Sequence, residues 1–165
     1  DMSFRSLIRS LINLQGKVAT DKKFQDVPLI GHFISYRGSM INWCPMGRDA
    51  SFSFRRDFEE VDSSLGVREE LKLLLDSMLK ESGIDNIVSA LGGNTSIDIY
   101  PDGWDKTYCL NHIDTDNVWF VGDRCLPGEN DYSLYQKLKS TRRSFRTDST
   151  STTLKIIDDI YARLC

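Results

Sequence analysis

VWFVGD at residues 118–123, followed by PGEND at 127–131, decides the fold that we expect for the last part of this chain. Val118 to Val121 form an apolar, β-prone run, which predicts a strand. The strand ends at Gly122-Asp123, and the acidic loop leads into a helix expected over 130–138. In open α/β sheets the functional groups lie at the carboxyl ends of the strands. The motif therefore predicts an α/β segment with Asp123 at the functional edge of its sheet.

The neighbours of this motif fit the same class. A short helix is expected over 104–111, and residues 140–151 form a polar stretch. The final helix is predicted from an apolar face at helical spacing, which consists of Leu154, Ile157, Ile160 and Leu164. Residues 103–165 therefore predict the tail end of an α/β sheet.

Residues 1–102 predict an α+β arrangement instead. Helical spacing of apolar residues predicts a helix over 3–14 and a second from Asp62-Ser-Ser to Gly83, with a buried stripe at Val67, Leu71, Leu74, Leu75 and Met78. Residues 15–28 are polar and end at Pro28, so we expect them to form a connector after the first helix. Strands are expected at 29–36, 39–43, 86–91 and 95–100, and alternating aromatic residues predict one more at 52–58.

The composition narrows the class of protein. The chain of 165 residues is 40% hydrophobic and carries a net charge of −3, which argues against a nucleic-acid partner. No apolar run approaches the roughly 18 residues of a membrane span, so we expect no membrane partner. Four cysteines without a C-x-x-C pair and two histidines make a zinc site or a disulfide framework unexpected, which favours the cytoplasm.

Three blocks of sequence, in order, resemble the eukaryotic phosphomannomutase family of the haloacid dehalogenase superfamily. They are FISYRGSMINWCPMGR at 33–48, GGNTSIDIYPDGWDKTYCL at 92–110 and the acidic loop at 122–131. The resemblance extends from the first helix to the last. It implies an α+β cap domain over 1–102, with an antiparallel sheet and helices. It also implies a partial α/β Rossmann-like haloacid dehalogenase core over 103–165.

The resemblance also implies a function. Enzymes of this family interconvert mannose 6-phosphate and mannose 1-phosphate, which feeds GDP-mannose synthesis. The expected ligand is therefore a hexose phosphate, and the expected cofactors are Mg²⁺ and a hexose bisphosphate activator. A homodimer that forms through the cap is the expected assembly, and the cytoplasm is the expected location.

Three arginines match phosphate-binding positions of the family's cap: Arg37, Arg48 and Arg55. A guanidinium group suits this role because it donates two parallel hydrogen bonds to phosphate oxygens and stays charged. Ser96 and Asp98 lie two residues apart on an expected strand, so their side chains share a face. By the resemblance they contact the sugar hydroxyls, and Asn42 adds an amide contact.

In the core, the resemblance gives Lys106 the place beside an aspartyl phosphate, where an ammonium group offsets negative charge. It gives Asp123 the role of magnesium ligand, with Asn130 and Asp131 as further ligands or supporting groups. Two positions depart from the family pattern. Glu129 replaces the usual glycine of the loop. Lys137 replaces an aspartate of a second cation site, to which Tyr135 would offer a carbonyl, so we expect that second site to be lost.

The aspartate nucleophile of the superfamily is not expected within this chain. Its pattern has one formal match, Asp114-Thr-Asp-Asn-Val118, which precedes a strand instead of ending one. We interpret that stretch as a polar turn. A phospho-aspartate reaction needs the missing carboxylate, so the chain alone is expected to be inactive. Three interpretations stay open: an N-terminal core segment in the same chain, the same segment in a partner chain, or a degenerate domain used for sugar-phosphate binding, dimerisation or scaffolding. A phosphatase of the same superfamily fits the cap motifs poorly.

Overall fold

A computed structural model describes residues 2–164, with side chains from residue 4 onward. It divides into two compact units, Asp1–Asp102 and Gly103–Cys165. Each unit is built on its own sheet, and the two sheets differ in strand direction. The expected combination of helices, an antiparallel sheet and α/β structure is present.

Unit 1 contains a four-stranded antiparallel sheet and three helices. The helices are α1 (Met2–Thr20), α2 (Phe52–Leu65) and α3 (Val67–Glu81), and the strands are β1 (Ile34–Tyr36), β2 (Ile41–Trp43), β3 (Ile87–Gly92) and β4 (Ser96–Pro101). The strands are ordered β1-β2-β4-β3. At the centre of the sheet, Asn42 of β2 lies opposite Asp98 of β4.

One face of this sheet forms the core of unit 1. Ile41 and Trp43 of β2 are buried beside Ile97 and Ile99 of β4, together with leucines of α1 and α3. The buried Trp43 keeps a polar partner, because its indole N–H donates to Gln15 Oε1 of α1 at 2.8 Å. The opposite face of the same strands is left to Asn42, Ser96 and Asp98.

The strand expected over 52–58 is wrong, because these residues begin α2. Ser51 caps the helix through its side chain, which accepts a hydrogen bond from the Phe54 backbone N–H. Phe58 is fully buried, but Phe52 is 83% exposed, so the aromatic side chains do not share the one face that a strand would need. The apparent alternation of aromatic residues therefore carried no information about packing.

The helix expected to start at Asp62 begins later. Asp62 lies inside α2, and α3 starts only after Gly66, whose φ of 62° ends α2. The expected stop at Gly83 is confirmed, since its N–H donates to Lys80 O at 3.0 Å just beyond the last turn of α3. The expected buried stripe is present, with Val67, Leu71 and Leu75 fully buried.

The remaining expectations for unit 1 are confirmed only in part. The helix expected over 3–14 runs on to Thr20, into the stretch that we expected to connect, and the hairpin of β3 and β4 lies where the pattern predicts it. Only the last three residues of the strand expected over 29–36 form β1. Before it, the chain pairs irregularly with residues 44–48, as in the 2.7 Å bond from Ile30 N to Met46 O.

Unit 2 has a β-α-β arrangement followed by a helix. Its elements are a 3₁₀ turn at Lys106–Asn111, a second at Thr115–Asn117, β5 (Phe120–Gly122), α4 (Tyr132–Lys139), β6 (Ser144–Arg146) and α5 (Thr150–Leu164). β5 and β6 pair in parallel, with Val121 opposite Phe145. β6 lies in the stretch expected to be merely polar, because Phe145 is its one apolar residue.

Helix α5 leaves its apolar side exposed. Leu154 is 62% and Leu164 66% exposed, and no described residue of α5 is buried. Parallel strands are normally covered on both faces, and amphipathic helices pack their apolar stripe against another element.

Over residues 2–164, no helix combines the length and the apolar character that a membrane crossing requires.

Gly47 provides a test of the irregular segment around residues 28–33. Its φ is +96°, and an added Cβ would lie 1.9 Å from Ile30 O. We expect Gly47→Ala to lower the free energy of unfolding by about 2 kcal/mol or more, because the backbone of residues 30–31 would have to move. Urea unfolding followed by circular dichroism measures this change.

Gly16→Ala is the matched control. Gly16 lies exposed in α1, where an added Cβ meets nothing within 4 Å. Alanine should stabilise the protein there by about 0.5–1 kcal/mol, because it restricts the unfolded chain. Equal midpoints for Gly47→Ala and wild type would contradict the described packing.

Candidate functional site

A cluster of polar side chains lies on the face of the unit 1 sheet that does not form the core. We call Asn42, Arg48, Ser96 and Asp98 the Asn42 cluster. The Asn42 side-chain amide donates to Ser96 Oγ at 2.9 Å and to Asp98 Oδ1 at 2.6 Å. Its carbonyl oxygen accepts a hydrogen bond from Arg48 Nη1. Four residues predicted as substrate-binding are thus joined through one amide that is almost completely buried.

The end of the β3–β4 hairpin fixes the acidic member of the cluster. A Cβ at Gly92 would lie 2.5 Å from Asp98 Oδ2, so the carboxylate lies directly against the backbone of residue 92. Ser96 Oγ also donates to Gly92 O at 2.8 Å. The cluster therefore requires a glycine at residue 92, for reasons of space and not of backbone conformation.

Arg55 supports the cluster from α2. Its Nε donates to Ala50 O at 3.1 Å, Nη1 donates to Thr95 Oγ1 at 3.4 Å, and Nη2 donates to Arg48 O. The acceptors that Arg48 and Arg55 contact are an amide, a hydroxyl and carbonyls, all of them neutral. These contacts orient two guanidinium groups without neutralising their charge, which suits them to bind an anion.

Arg37 is placed differently. It lies exposed in the turn between β1 and β2, where its backbone N–H donates to Met40 O at 2.8 Å. Thr95 was not predicted, yet it is buried in the turn directly before β4 and accepts from Arg55. No signal in the sequence distinguished Thr95 from an ordinary turn residue, because it follows Gly93-Asn94.

In unit 2, the buried carboxylate of Asp131 organises the acidic loop. Asp131 is 5% exposed and forms an ion pair with Lys106 Nζ, and it accepts from the Arg124 backbone N–H at 3.1 Å. A Cβ at Gly122 would lie 2.7 Å from Asp131 Oδ2, so this carboxylate also lies against the end of β5. Lys106 is thereby held beside the carboxyl end of that strand.

These contacts shift the titration of Asp131. Burial raises the pKa of its carboxyl group, but the hydrogen bonds from Lys106 and from the backbone N–H groups of Arg124 and Asp123 outweigh burial. The pKa of Asp131 therefore lies below its ordinary value, and the group is ionised at neutral pH. An ionised partner keeps the Lys106 ammonium oriented.

Asp105 fixes the turn that begins with Lys106. It caps the 3₁₀ turn of Lys106 by accepting from Thr107 N at 2.8 Å and from Thr107 Oγ1 at 2.5 Å. Burial raises the pKa of Asp105, yet these bonds and one from the Ser133 hydroxyl lower it below the ordinary value. Because Ser133 lies in α4, Asp105 ties the lysine-bearing turn to the helix after the acidic loop.

Asp123 directly follows β5, and its side chain is exposed, as is that of Asn130. A hard, exposed carboxylate at the end of a strand fits Mg²⁺, which uses few protein carboxylates and completes its shell with water and phosphate. Among the side chains of residues 4–164, no group of three or more His, Cys, Asp or Glu is arranged around a common metal position. Glu129 folds back to accept from Leu126 N at 2.6 Å. Asn130 and Asp131 stay predictions as metal ligands.

The stretch Asp114 to Asn117 is a capped turn. Asp114 Oδ1 accepts from Asp116 N at 3.0 Å, and Oδ2 accepts from Asn117 Nδ2 at 2.9 Å. The turn precedes β5 and does not end a strand. Its carboxylates therefore stabilise a local turn, which fits the interpretation that they are not a nucleophile pair.

The sequence was compared with known protein families and with curated proteins. The family model for eukaryotic phosphomannomutase matches residues 6–163. The phosphomannomutase of Encephalitozoon cuniculi is 44% identical over 114 residues, which are 67% of this chain and 43% of that protein. The phosphomannomutase of Drosophila melanogaster is 37% identical over 140 residues, which are 82% of this chain and 53% of that protein.

The chain therefore spans about half the length of the curated relatives that it matches. Among solved structures, the N-terminally truncated, IMP-bound IMP-nucleotidase of Plasmodium falciparum aligns with a TM-score of 0.46 at 14% identity. The alignment covers 93% of this chain and 38% of that chain.

The Lys106–Asp131 ion pair makes a prediction about acid stability. The folded-state pKa of Asp131 lies below an unfolded-state value of about 3.9, so the carboxylate stabilises the fold above about pH 4. That stabilisation is lost as the pH falls through the folded-state pKa. Asp131→Asn should lower the free energy of unfolding at pH 7 by about 1–3 kcal/mol and should flatten its decline below about pH 4.

Urea unfolding at a series of pH values measures both effects. Asp85→Asn, at an exposed aspartate of unit 1, is the control and should keep the wild-type profile. If Asp131→Asn and wild type lose stability in parallel below about pH 4, the buried ion pair does not contribute as described.

Proposed function

The chain belongs to the eukaryotic phosphomannomutase family, and from this membership we propose that it forms the sugar-phosphate-binding part of an enzyme that interconverts mannose 6-phosphate and mannose 1-phosphate. The observation that carries the proposal is the Asn42 cluster. It presents a guanidinium, an amide, a hydroxyl and a carboxylate on one sheet face. A guanidinium group suits phosphate oxygens, and the amide, hydroxyl and carboxylate groups suit sugar hydroxyls.

In this proposal the residues of unit 1 divide the ligand between them. Arg48 and Arg55 bind the phosphate that does not react, with Arg37 as a further contact. Asn42, Ser96 and Asp98 bind the sugar hydroxyls. Unit 1 is then the cap, which also forms the homodimer, and unit 2 is the carboxyl-terminal half of a Rossmann-like core. The protein works in the cytoplasm on hexose phosphates made for GDP-mannose synthesis.

The residues of unit 2 serve the transferring phosphoryl group. Asp123 holds Mg²⁺, with Asn130 and Asp131 as further ligands or supports, and the ion neutralises charge on the phosphate when it is bound. The Lys106 ammonium offsets the charge of the phosphate and the carboxylates. Asp131 keeps this ammonium beside the end of β5, as the ion pair supports. A hexose bisphosphate acts as activator.

The aspartate nucleophile comes from a complementary core segment, in the same polypeptide or in another chain. Two observations in unit 2 support this part of the proposal. Its parallel sheet has only two strands within the described residues, although such sheets are normally larger and covered on both faces. Helix α5 also exposes its apolar stripe. A complementary strand and helix would extend the sheet and cover that stripe.

A second candidate function is a domain that binds sugar phosphates, dimerises or acts as a scaffold without catalysis. Glu129 and Lys137 favour it, since both depart from the family pattern in or near the acidic loop. Glu129 adds a carboxylate to the acidic loop, and Lys137 places a cation where the second cation site would need an aspartate. The first candidate and the sugar-phosphate-binding form of the second both require the Asn42 cluster to bind a hexose phosphate, and these two differ only in turnover.

Calorimetric titration of the chain with mannose 6-phosphate tests the shared requirement. We expect measurable binding that Arg48→Ala weakens about 10- to 100-fold, because hydrogen bonds to charged groups contribute roughly 1.5–3 kcal/mol each. Arg56→Ala is the matched control, since it removes the same charge from an exposed residue next to Arg55. It should leave the affinity within about twofold of wild type.

Equal losses for Arg48→Ala and Arg56→Ala would mean that binding is only general attraction to positive charge. Turnover with the complementary core segment supplied separates the two candidates, because only the first predicts that mannose 1-phosphate is then converted. The chain alone should not convert mannose 1-phosphate when Mg²⁺ and a hexose bisphosphate are supplied. Conversion by the chain alone would overturn the proposal that the nucleophile lies on a complementary segment.

A further inference from the structure

A nearly buried ion pair connects α2 and α3 beside the β3–β4 turn. Arg68 Nε donates to Asp62 Oδ2 at 2.7 Å, and each side chain is only 12% exposed. The other carboxylate oxygen, Asp62 Oδ1, accepts from the Arg68 backbone N–H at 2.7 Å. Asp62 of α2 therefore holds both the backbone and the side chain of Arg68 at the start of α3.

The free end of the same guanidinium group contacts the hairpin. Arg68 Nη1 donates to Gly93 O at 3.1 Å and to Ser96 O at 3.3 Å. Gly93 is the first residue after β3, and Ser96 is the first residue of β4. One nitrogen thus binds the carbonyls at both ends of the turn. Gly93 has a φ of +54°, so the turn also relies on a backbone conformation that glycine favours.

The residues in and after this turn build or support the proposed binding site. Thr95 accepts from Arg55, Ser96 accepts from Asn42, and Asp98 follows two residues later on the same strand face. The Ser96 carbonyl binds Arg68, whereas the Ser96 hydroxyl lies in the Asn42 cluster. The position of the hydroxyl therefore depends on where Arg68 holds its backbone.

We propose that Arg68, held by Asp62, is a positioning residue for the Asn42 cluster. By fixing both ends of the β3–β4 turn, it sets where the hydroxyl of Ser96 and the carboxylate of Asp98 meet the ligand, and where the hydroxyl of Thr95 accepts from Arg55. Arg68 does not itself touch the sugar phosphate, because Asp62 and the two carbonyls hold its Nε and Nη1 and its side chain is only 12% exposed. The assignment rests on the proposed function, since it needs the Asn42 cluster to bind a hexose phosphate.

The geometry requires arginine in particular. The planar guanidinium reaches a carboxylate with Nε and two carbonyls with Nη1 at the same time, whereas a lysine ammonium is a single point of charge on a flexible stem. A buried ion pair is also a weak way to gain stability, because desolvation offsets much of its attraction. What the pair provides here is a defined orientation of the turn.

Calorimetry with mannose 6-phosphate on the full chain tests the assignment. Arg68→Met should weaken binding about tenfold or more, because misplaced contact groups lose affinity steeply. Arg68→Lys should lie between Arg68→Met and wild type, and Asp62→Asn should weaken binding without adding fully to Arg68→Met. Leu79→Ala is the stability control, since it opens a buried site at the opposite end of α3. It should keep the affinity within about twofold of wild type at a temperature where all variants are folded.

Amide hydrogen exchange measured by NMR gives a second readout. Exchange at residues 94–98 should be faster in Arg68→Met than in Leu79→Ala. Wild-type affinity in Arg68→Met, or an equal loss in Leu79→Ala, would overturn the positioning role. If the wild-type chain binds no mannose 6-phosphate, the proposed function fails instead. The exchange comparison then decides alone whether Arg68 orders the turn, and unchanged exchange would overturn that as well.

Discussion

The antiparallel pairing of β2 with β4 is the constraint on which unit 1 depends. It places Asn42 opposite Asp98, with Ile41 opposite Ile99 on the other face of the sheet. Because strand side chains alternate, a slip of one residue would bring a carboxylate into the core and isoleucines onto the polar face. The register that closes the core is therefore the same register that assembles the Asn42 cluster. If the Asn42 cluster binds the proposed ligand, one register of this pair of strands serves both stability and binding.

Unit 2 depends on a smaller device, the carboxylate of Asp131. It binds a lysine from one segment and backbone N–H groups from the acidic loop, and Gly122 leaves the space that it occupies. These contacts order the end of β5, but they do not close the unit. Its sheet pairs two strands within residues 2–164, and α5 contributes no buried side chain. In unit 2 the contacts around Asp131 are therefore well defined, although the sheet and helix around them bury little.

The sequence predicted local features well and long-range ones poorly. The hairpin of β3 and β4 and the helix α3 were predictable, because Ser96 to Tyr100 alternates and the leucines of α3 repeat at helical spacing. The strand expected over 52–58 was wrong, since Phe52 and Phe54 are aromatic but exposed. β6 was missed because parallel pairing joins distant segments and depends little on local pattern.

The family was correctly identified. Arg68 could not be predicted as part of the site, because its role runs through backbone carbonyls.

The contacts of Arg55 have a thermodynamic consequence. Three of its donors are already bound to Ala50, Thr95 and Arg48, and Asn42 restrains Arg48 in turn. Long side chains normally lose about 0.5–1.5 kcal/mol of rotamer entropy each when a ligand immobilises them. Here folding has already removed much of that freedom. An anion that reaches these guanidinium groups meets a surface whose side-chain entropy was lost earlier, so side-chain ordering adds little to the cost of its association.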